Sequence, residues 1–86
     1  MKASHILVET LEKAQSILAE ANTLNFGTLA QQYSSCPSKA RGGDLGDFRS
    51  GQMVKPFEDA TVATAVGSIS QPVQTQFGWH LIHRTG

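Results

Sequence analysis

Residues 71–84 read QPVQTQFGWHLIHR, and this stretch decides which kind of fold the chain forms. Two strand-like runs, 71–75 (QPVQT) and 79–84 (WHLIHR), are separated only by a turn at 76–78. Strands joined by so short a link form an antiparallel hairpin. Because a proline stands near the start of the first run, we expect that run to lie at the edge of its sheet.

A strand and two amphipathic helices are predicted upstream of this hairpin. Residues 3–8 (ASHILV) form a short run, apolar at its end and bounded by charged residues, which is typical of a strand. Apolar residues recur at helical spacing over 11–21 and again over 26–33, so each helix presents one apolar face to a shared core. Thr10 and Asn25 precede these stretches, where a side-chain oxygen can cap a free backbone N–H.

The middle of the chain breaks this pattern. Residues 34–51, SSCPSKARGGDLGDFRSG, hold four of the eight glycines, four serines and one proline, which indicates a long irregular loop. Such a loop in a small domain is often functional, and 47–49 is a candidate for a brief strand. Pro56 suits the first turn of a third helix, which we expect to run to about Ala65 with Gly67 as its stop.

The order of strand, helices, loop, helix and hairpin predicts an α+β domain with a small, mostly antiparallel sheet. The 86 residues suit one domain, residues 1–86. Seven basic and seven acidic residues cancel, which argues against a general nucleic-acid binder, and no apolar run approaches the ~20 residues that cross a membrane. The single cysteine forms no internal disulfide, and no export signal begins the chain, so we expect a cytoplasmic monomer.

Two histidines are candidates for chemistry because strand alternation brings them together. In the last strand His80 faces one way and His83 the other, so His5 lies beside His80 if the two terminal strands pair. Two imidazoles in contact disfavour double protonation, so at neutral pH we expect an uncharged, hydrogen-bonded pair whose tautomer Thr75 can fix. A purely structural pair of buried histidines fits the same pattern.

Cys36 and several apolar residues are further candidates. A lone cysteine in a chain with histidines suggests a thiol nucleophile, although the sequence by itself favours a small buried hydrophobe in a loop. Leu45, Met53 and Phe57 can be core residues or one wall of a shallow pocket that suits a proline ring. Phe77 stands at the hairpin turn, where polar residues are usual, and therefore indicates a binding surface.

Four segments together resemble the parvulin family: HILV at 5–8, CPSKARGGDLGDF at 36–48, GQMVKPFEDA at 51–60 and QFGWHLIHR at 76–84. They occur in the parvulin order and spacing, and the chain is most similar to the small stand-alone bacterial members. The resemblance implies a four-stranded antiparallel sheet surrounded by about four helices. It also implies peptidyl-prolyl cis/trans isomerase activity without a cofactor.

The resemblance further implies roles for particular residues. Those implied for catalysis are the paired histidines, the threonine that bonds them and a position that is Cys or Asp in the family: His5, His80, Thr75 and Cys36. Those implied for substrate binding are the proline pocket and the glutamine near bound peptide: Leu45, Met53, Phe57 and Gln52. Phe77 replaces the small residue of the phosphate-directed members, and we expect it to contact substrate and to make the site more apolar.

One departure from the family bears on the substrate. Phosphate-directed parvulins carry a long basic loop after the first strand, whereas here Val8 leads almost directly into the first helix, with only Lys13 nearby. No arginine cluster is present to pair a phosphate, so we expect a preference for apolar residues before proline. The expected partners are proline-containing peptides and unfolded or partly folded proteins.

Three alternatives stay open. The apolar groove can serve a chaperone module that binds peptides with little catalysis. Cys36 and one histidine can serve a cysteine hydrolase, although the sequence shows no clear oxyanion hole. A zinc site from Cys36, His5 and His80 has enough ligands, but their spacing matches no standard motif, so we expect no metal.

Overall fold

The computed structural model describes all 86 residues. Four β-strands, three α-helices and one 3-10 helix follow one another along the chain. In order they are β1 (Lys2–Val8), α1 (Leu11–Glu20), α2 (Phe26–Tyr33), the 3-10 helix (Pro37–Arg41), β2 (Asp44–Asp47), α3 (Lys55–Ala63), β3 (Val73–Thr75) and β4 (Gly78–Arg84).

The four strands form one antiparallel sheet in the order β2-β1-β4-β3, so the predicted sheet is confirmed. The two terminal strands, β1 and β4, are its centre, and β3 lies at an edge as the proline indicated. The turn of the β3–β4 hairpin is Gln76 and Phe77, because Thr75 pairs with Gly78. Gly78 has φ +138°, and a Cβ there would lie 2.6 Å from the Val8 carbonyl oxygen, so the hairpin packs against β1 only with glycine here.

The two faces of the sheet carry separate apolar clusters because side chains alternate along each strand. On one face α1 and α2 cover the larger cluster: Ile6, Val8, Ala14, Ile17, Phe26, Leu29, Ala30 and Leu81. On the other face α3 and the loop before it cover the smaller one: Ala3, Phe48, Phe57 and Ile82. His83 packs against Phe26 on the first face in tilted geometry, with ring centroids 5.4 Å apart, whereas His5 and His80 belong to the second face.

The capping prediction is right for α1 and wrong for α2. Thr10 Oγ1 accepts the N–H of Lys13 at 3.2 Å, which closes the first turn of α1. Asn25 instead accepts the N–H of Asn22 with its Oδ1 and donates to the Glu20 carbonyl with its amide nitrogen. Asn25 therefore stabilises the short α1–α2 connection, because both ends of its amide find backbone partners there.

Helix α3 ends at Ala63, two residues earlier than predicted, and Gly67 lies in a later turn. Thr64 is already extended, and its hydroxyl donates back to the Ala60 carbonyl. The guanidinium of Arg84, from β4, donates to the carbonyls of Thr61, Val62 and Thr64. These carbonyls at the end of α3 therefore find a charged partner from the sheet, which fixes where the helix stops.

The stretch 34–51 is more ordered than an irregular loop. It contains the 3-10 helix and β2, and β2 occupies Asp44–Asp47 rather than the expected 47–49. The carbonyl of Gly43 accepts the N–H of His5 at 2.9 Å, and a Cβ on Gly43 would collide with the His5 carbonyl oxygen. Strand β2 therefore begins to pair with β1 directly after Gly43. Where about four helices were expected, the structure has three α-helices and this 3-10 helix. None of the helices is long and apolar enough to cross a bilayer.

Candidate active site

His5 and His80 form a buried pair between the sheet and α3. Their Nδ1 atoms lie 3.0 Å apart, and the side chains are 5% and 4% exposed. One Nδ1 must donate and the other accept, so at least one of the two rings must be neutral. Burial lowers the pKa of both histidines from 6.5 to about 4. For His5, the charge of a protonated His80 is a second cause of the lowered pKa, after burial.

Thr75 ties the histidine pair to the hairpin turn. Its Oγ1 lies 2.7 Å from His80 Nε2 and accepts the backbone N–H of Phe77 at 3.1 Å. If His80 Nδ1 donates to His5, then His80 Nε2 accepts from the threonine hydroxyl. If His5 Nδ1 donates, His80 Nε2 donates to Thr75. In both arrangements Thr75 completes the hydrogen bonding of His80, while His5 Nε2 is buried without a partner.

Phe57, from the first turns of α3, packs its ring against both imidazoles. The ring centroids are 5.6 Å from His5 and 5.2 Å from His80, in edge-on geometry. Phe57 is itself 3% exposed and stacks on Phe48 at 6.2 Å. The histidine pair therefore lies between the two central strands and the ring of Phe57, which we call the aromatic clamp. This enclosure excludes water from both imidazoles.

A cavity of about 490 Å³ opens above the pair, and seven of its twelve lining residues are hydrophobic. Eight of the nine residues singled out from the sequence line it: His5, Cys36, Leu45, Gln52, Met53, Phe57, Phe77 and His80. The ninth, Thr75, contacts His80 from the side. The structure thus brings all nine to one place, although their separate roles stay predictions.

Four lining residues were not predicted: Leu7, Ser35, Pro37 and Val54. Strand alternation places Leu7 on the face of His5, so that signal was available. Ser35 and Pro37 flank Cys36 in the loop, and neither residue belongs to a periodic pattern in the sequence. Val54 precedes α3, and only the path of the loop turns it inward.

Cys36 stands on the wall of the cavity, half-buried, and its sulfur is bonded to a serine rather than to a histidine. The Ser38 hydroxyl donates to Cys36 Sγ at 3.3 Å, and the two Nδ1 atoms are occupied by each other. A thiol nucleophile needs an imidazole within hydrogen-bond reach to take its proton. The hydrolase alternative therefore lacks its base. The structure also gathers no group of three or more His, Cys, Asp or Glu side chains that could hold a metal ion.

A second, smaller cavity of about 290 Å³ adjoins the first at Ser35. Lys13 is the only basic residue that lines it, and Glu9 lines it too. The Lys13 ammonium lies 5.7 Å from the centroid of the Tyr33 ring, a cation–π arrangement. The smaller cavity is therefore lined by one cation, which already contacts an aromatic ring, and by one carboxylate.

The fold and the cavity define a class: a small α+β domain that presents a dry apolar pocket over an uncharged histidine pair. The model of one family, described as Rotamase: PPIC-type PPIASE domain, matches residues 5–86. The chain belongs to this family of peptidyl-prolyl isomerase domains, the parvulins.

Known relatives are similar over most of the chain. The foldase protein PrsA 4 of Bacillus cereus is 45% identical over 87 aligned positions, which cover 99% of this chain and 31% of the foldase. The peptidyl-prolyl cis-trans isomerase Pin1 of Digitalis lanata is 48% identical over 80 positions, covering 91% of this chain and 68% of that protein.

Among solved structures, NmPin, the parvulin of Nitrosopumilus maritimus, superposes with a TM-score of 0.85 at 42% identity. The match covers 100% of this chain and 95% of NmPin. The chain is thus close in length to NmPin, whereas it spans about a third of the first foldase relatives.

Proposed function

We propose that this domain accelerates cis/trans rotation of X-Pro bonds without covalent catalysis, and that it prefers an apolar residue before proline to a phosphorylated one. The observation that carries the proposal is the apolar cavity closed at its base by a buried, neutral histidine pair. Its substrates are proline-containing peptides and partly folded proteins.

The energetics of the reaction suit such a site. Rotation about the X-Pro bond crosses a barrier of ~18–20 kcal/mol. Turnover at useful rates requires about 4–7 kcal/mol of transition-state stabilisation, at about 1.36 kcal/mol per tenfold. No bond breaks, and the twisted amide loses resonance, so its carbonyl becomes less polar. A dry pocket that grips the proline ring favours this twisted state over the planar one.

Individual residues have distinct parts in this mechanism. Leu45, Met53 and Phe57 supply the apolar surface for the ring. The neutral His5–His80 pair gives a rigid floor with no charge that would bind the polar ground state more tightly. Cys36 lies where its sulfur can tune the field near the substrate carbonyl, while Ser38 fixes its direction.

Two features support the preference for apolar residues over phosphate. Lys13 is the only basic residue that lines the smaller cavity beside the site. Glu9 also lines this cavity, and its negative charge would repel a phosphate there. A phosphoserine carries about −1.5 to −2 charges and is usually paired by several arginines. Phe77, which is 62% exposed and lines the main cavity, offers an apolar contact instead.

A binding module with little catalysis is the second candidate. The foldase protein PrsA 4 of Bacillus cereus contains a similar domain, and the large exposed ring of Phe77 suits capture of unfolded segments. Such a module uses the same cavity, so only kinetics separate the two functions.

The deciding experiment is exchange NMR on the peptide Ala-Phe-Pro-Phe, compared with the same peptide carrying phosphoserine before proline. Cis/trans exchange cross-peaks at catalytic protein concentration, stronger for the Phe-Pro peptide and without cleavage, are the expected result. Peptide shifts without faster exchange support the binding module. Faster exchange for the phosphopeptide overturns the proposed specificity.

A further inference from the structure

One wall of the cavity is carried by an exposed turn, residues 49–52, which we call the rim turn. All four of its residues are exposed, so no buried apolar side chain holds it in place. Its internal bonds are reciprocal: the N–H of Arg49 donates to Gln52 Oε1 at 2.7 Å, and the N–H of Gln52 donates to the Arg49 carbonyl at 3.2 Å. The rim turn therefore depends on hydrogen bonds for its position.

The bond from Arg49 also fixes the orientation of the Gln52 amide. A backbone N–H can only donate, so the oxygen of the amide must face it. The amide nitrogen, a donor, is then the end of Gln52 left free, and Gln52 lines the cavity. A bound peptide presents carbonyl oxygens, which accept such a bond.

Glu58 on α3 is the side chain that anchors the rim turn to the rest of the domain. One carboxylate oxygen accepts the Ser50 hydroxyl at 3.0 Å and the other accepts the Gly51 N–H at 2.6 Å. Bonds to an ionised acceptor are shorter and stronger than neutral ones. Glu58 is half-buried and lies one residue after Phe57, so it links the rim turn to the helix that carries the aromatic clamp.

We propose that Glu58 is a positioning residue for peptide binding: its carboxylate holds the rim turn so that Met53 borders the pocket and the Gln52 amide nitrogen donates to a substrate carbonyl. This inference rests on the proposed function, because it concerns the same cavity. Glu58 touches no substrate and acts through the turn that it anchors.

The test compares three variants by KM and kcat for the Ala-Phe-Pro-Phe peptide. Glu58→Ala removes both anchoring bonds, and we expect KM to rise about tenfold while kcat changes less than about twofold. Glu58→Gln keeps an oxygen for Gly51 and a donor for Ser50, so it should retain most of the affinity. Asp59→Ala is the matched control, since it removes the same charge from the next residue, where Asp59 pairs only with exposed Lys55 at 3.4 Å.

Amide chemical shifts and thermal melts separate positioning from global stability. Glu58→Ala should move the amide signals of residues 50–53 and leave the chain folded at the assay temperature. Ser50→Ala, which removes one of the two bonds, should give a smaller rise in KM, about threefold. An unchanged KM in Glu58→Ala despite moved signals, or an equal rise in Asp59→Ala, overturns the proposal.

Failure of the proposed function gives a different result. Wild-type protein that binds the peptide without accelerating exchange refutes catalysis, and peptide affinity by NMR titration then replaces KM in the same comparison. Wild-type protein that neither binds nor catalyses refutes the proposed function and the positioning role together. Unmoved amide signals of residues 50–53 in Glu58→Ala refute the anchoring whatever the wild type does.

Discussion

The Nδ1 atoms of His5 and His80 lie 3.0 Å apart across the two central strands, and both imidazoles are nearly inaccessible to water. The bond between the two Nδ1 atoms cannot form when both rings are protonated, because one nitrogen must accept. Burial lowers the pKa of both imidazoles to about 4, so the pair is neutral near pH 7, and this neutrality links the site to the stability of the whole domain.

Stability should fall as the pH drops from about 6.5 to about 4. Unfolded histidines take up protons below their pKa of 6.5, whereas the folded pair resists until about 4 because burial lowers its pKa. The unfolded state then binds more protons than the native state, so the stabilisation present above 6.5 is lost on acidification. Two protons give a slope of up to about 2.7 kcal/mol per pH unit. Urea unfolding across this range measures it.

The control for this prediction is His83→Gln, which leaves the pair intact and should keep the loss of stability. Native-state NMR titration gives a second check. Imidazole signals of His5 or His80 that titrate near 6.5 in the folded protein contradict the prediction, as does a free energy of unfolding that stays constant over the range.

Thr75→Val should damage the site through the histidine tautomer. The substitution keeps the shape but removes the hydroxyl that bonds His80 Nε2 at 2.7 Å and accepts from Phe77. An unpaired buried polar group costs about 1–3 kcal/mol, so we expect a loss of that size in unfolding free energy and a lower kcat. Gln74→Ala on the exposed side of the same strand is the control. Unaltered nitrogen-15 imidazole shifts of His80 in Thr75→Val contradict the role.

The histidine pair could be predicted from sequence because period-two alternation is a local property. Once residues 71–84 form a hairpin and the terminal strands pair, His5 and His80 can share a face, and His83 then points to the other one. The structure confirms this geometry.

Long-range and loop contacts could not be predicted in this way. Strand β2 contains only DLGD, which shows no alternation, and its pairing follows from where Gly43 bonds His5. The early end of α3 depends on Arg84, twenty residues beyond Thr64. The carboxylate of Glu58 suits the N-terminal turn of any helix, and only the folded loop shows that it binds the rim turn instead. Hydrogen bonds between distant segments produce no periodic pattern in the sequence.

Cys36 variants should separate a non-covalent role from a covalent one. Cys36→Ala removes the sulfur that accepts from Ser38, and we expect kcat/KM to fall only partly, about tenfold. Cys36→Asp should keep much of the activity, because it restores a polar acceptor at the same place. Exchange NMR measures each rate, with melts to confirm folding and Ser38→Ala to test the bond alone. Complete loss in both Cys36→Ser and Cys36→Asp, with the fold intact, instead supports a nucleophilic thiol.

Phe77→Ser should lower activity selectively on peptides with an apolar residue before proline. The ring is 62% exposed at the hairpin turn, so its removal leaves the core and the backbone bond to Thr75 in place, and stability should change by less than about 0.5 kcal/mol. We expect kcat/KM for Ala-Phe-Pro-Phe to fall about three- to tenfold, and that for a glycine-proline peptide to change less, because a contact of this size is worth about 1 kcal/mol. Leu24→Ser is the matched control, since Leu24 is 94% exposed in the α1–α2 connection and lines no part of the cavity. Equal losses on both peptides would show that Phe77 acts through the turn rather than on the substrate side chain.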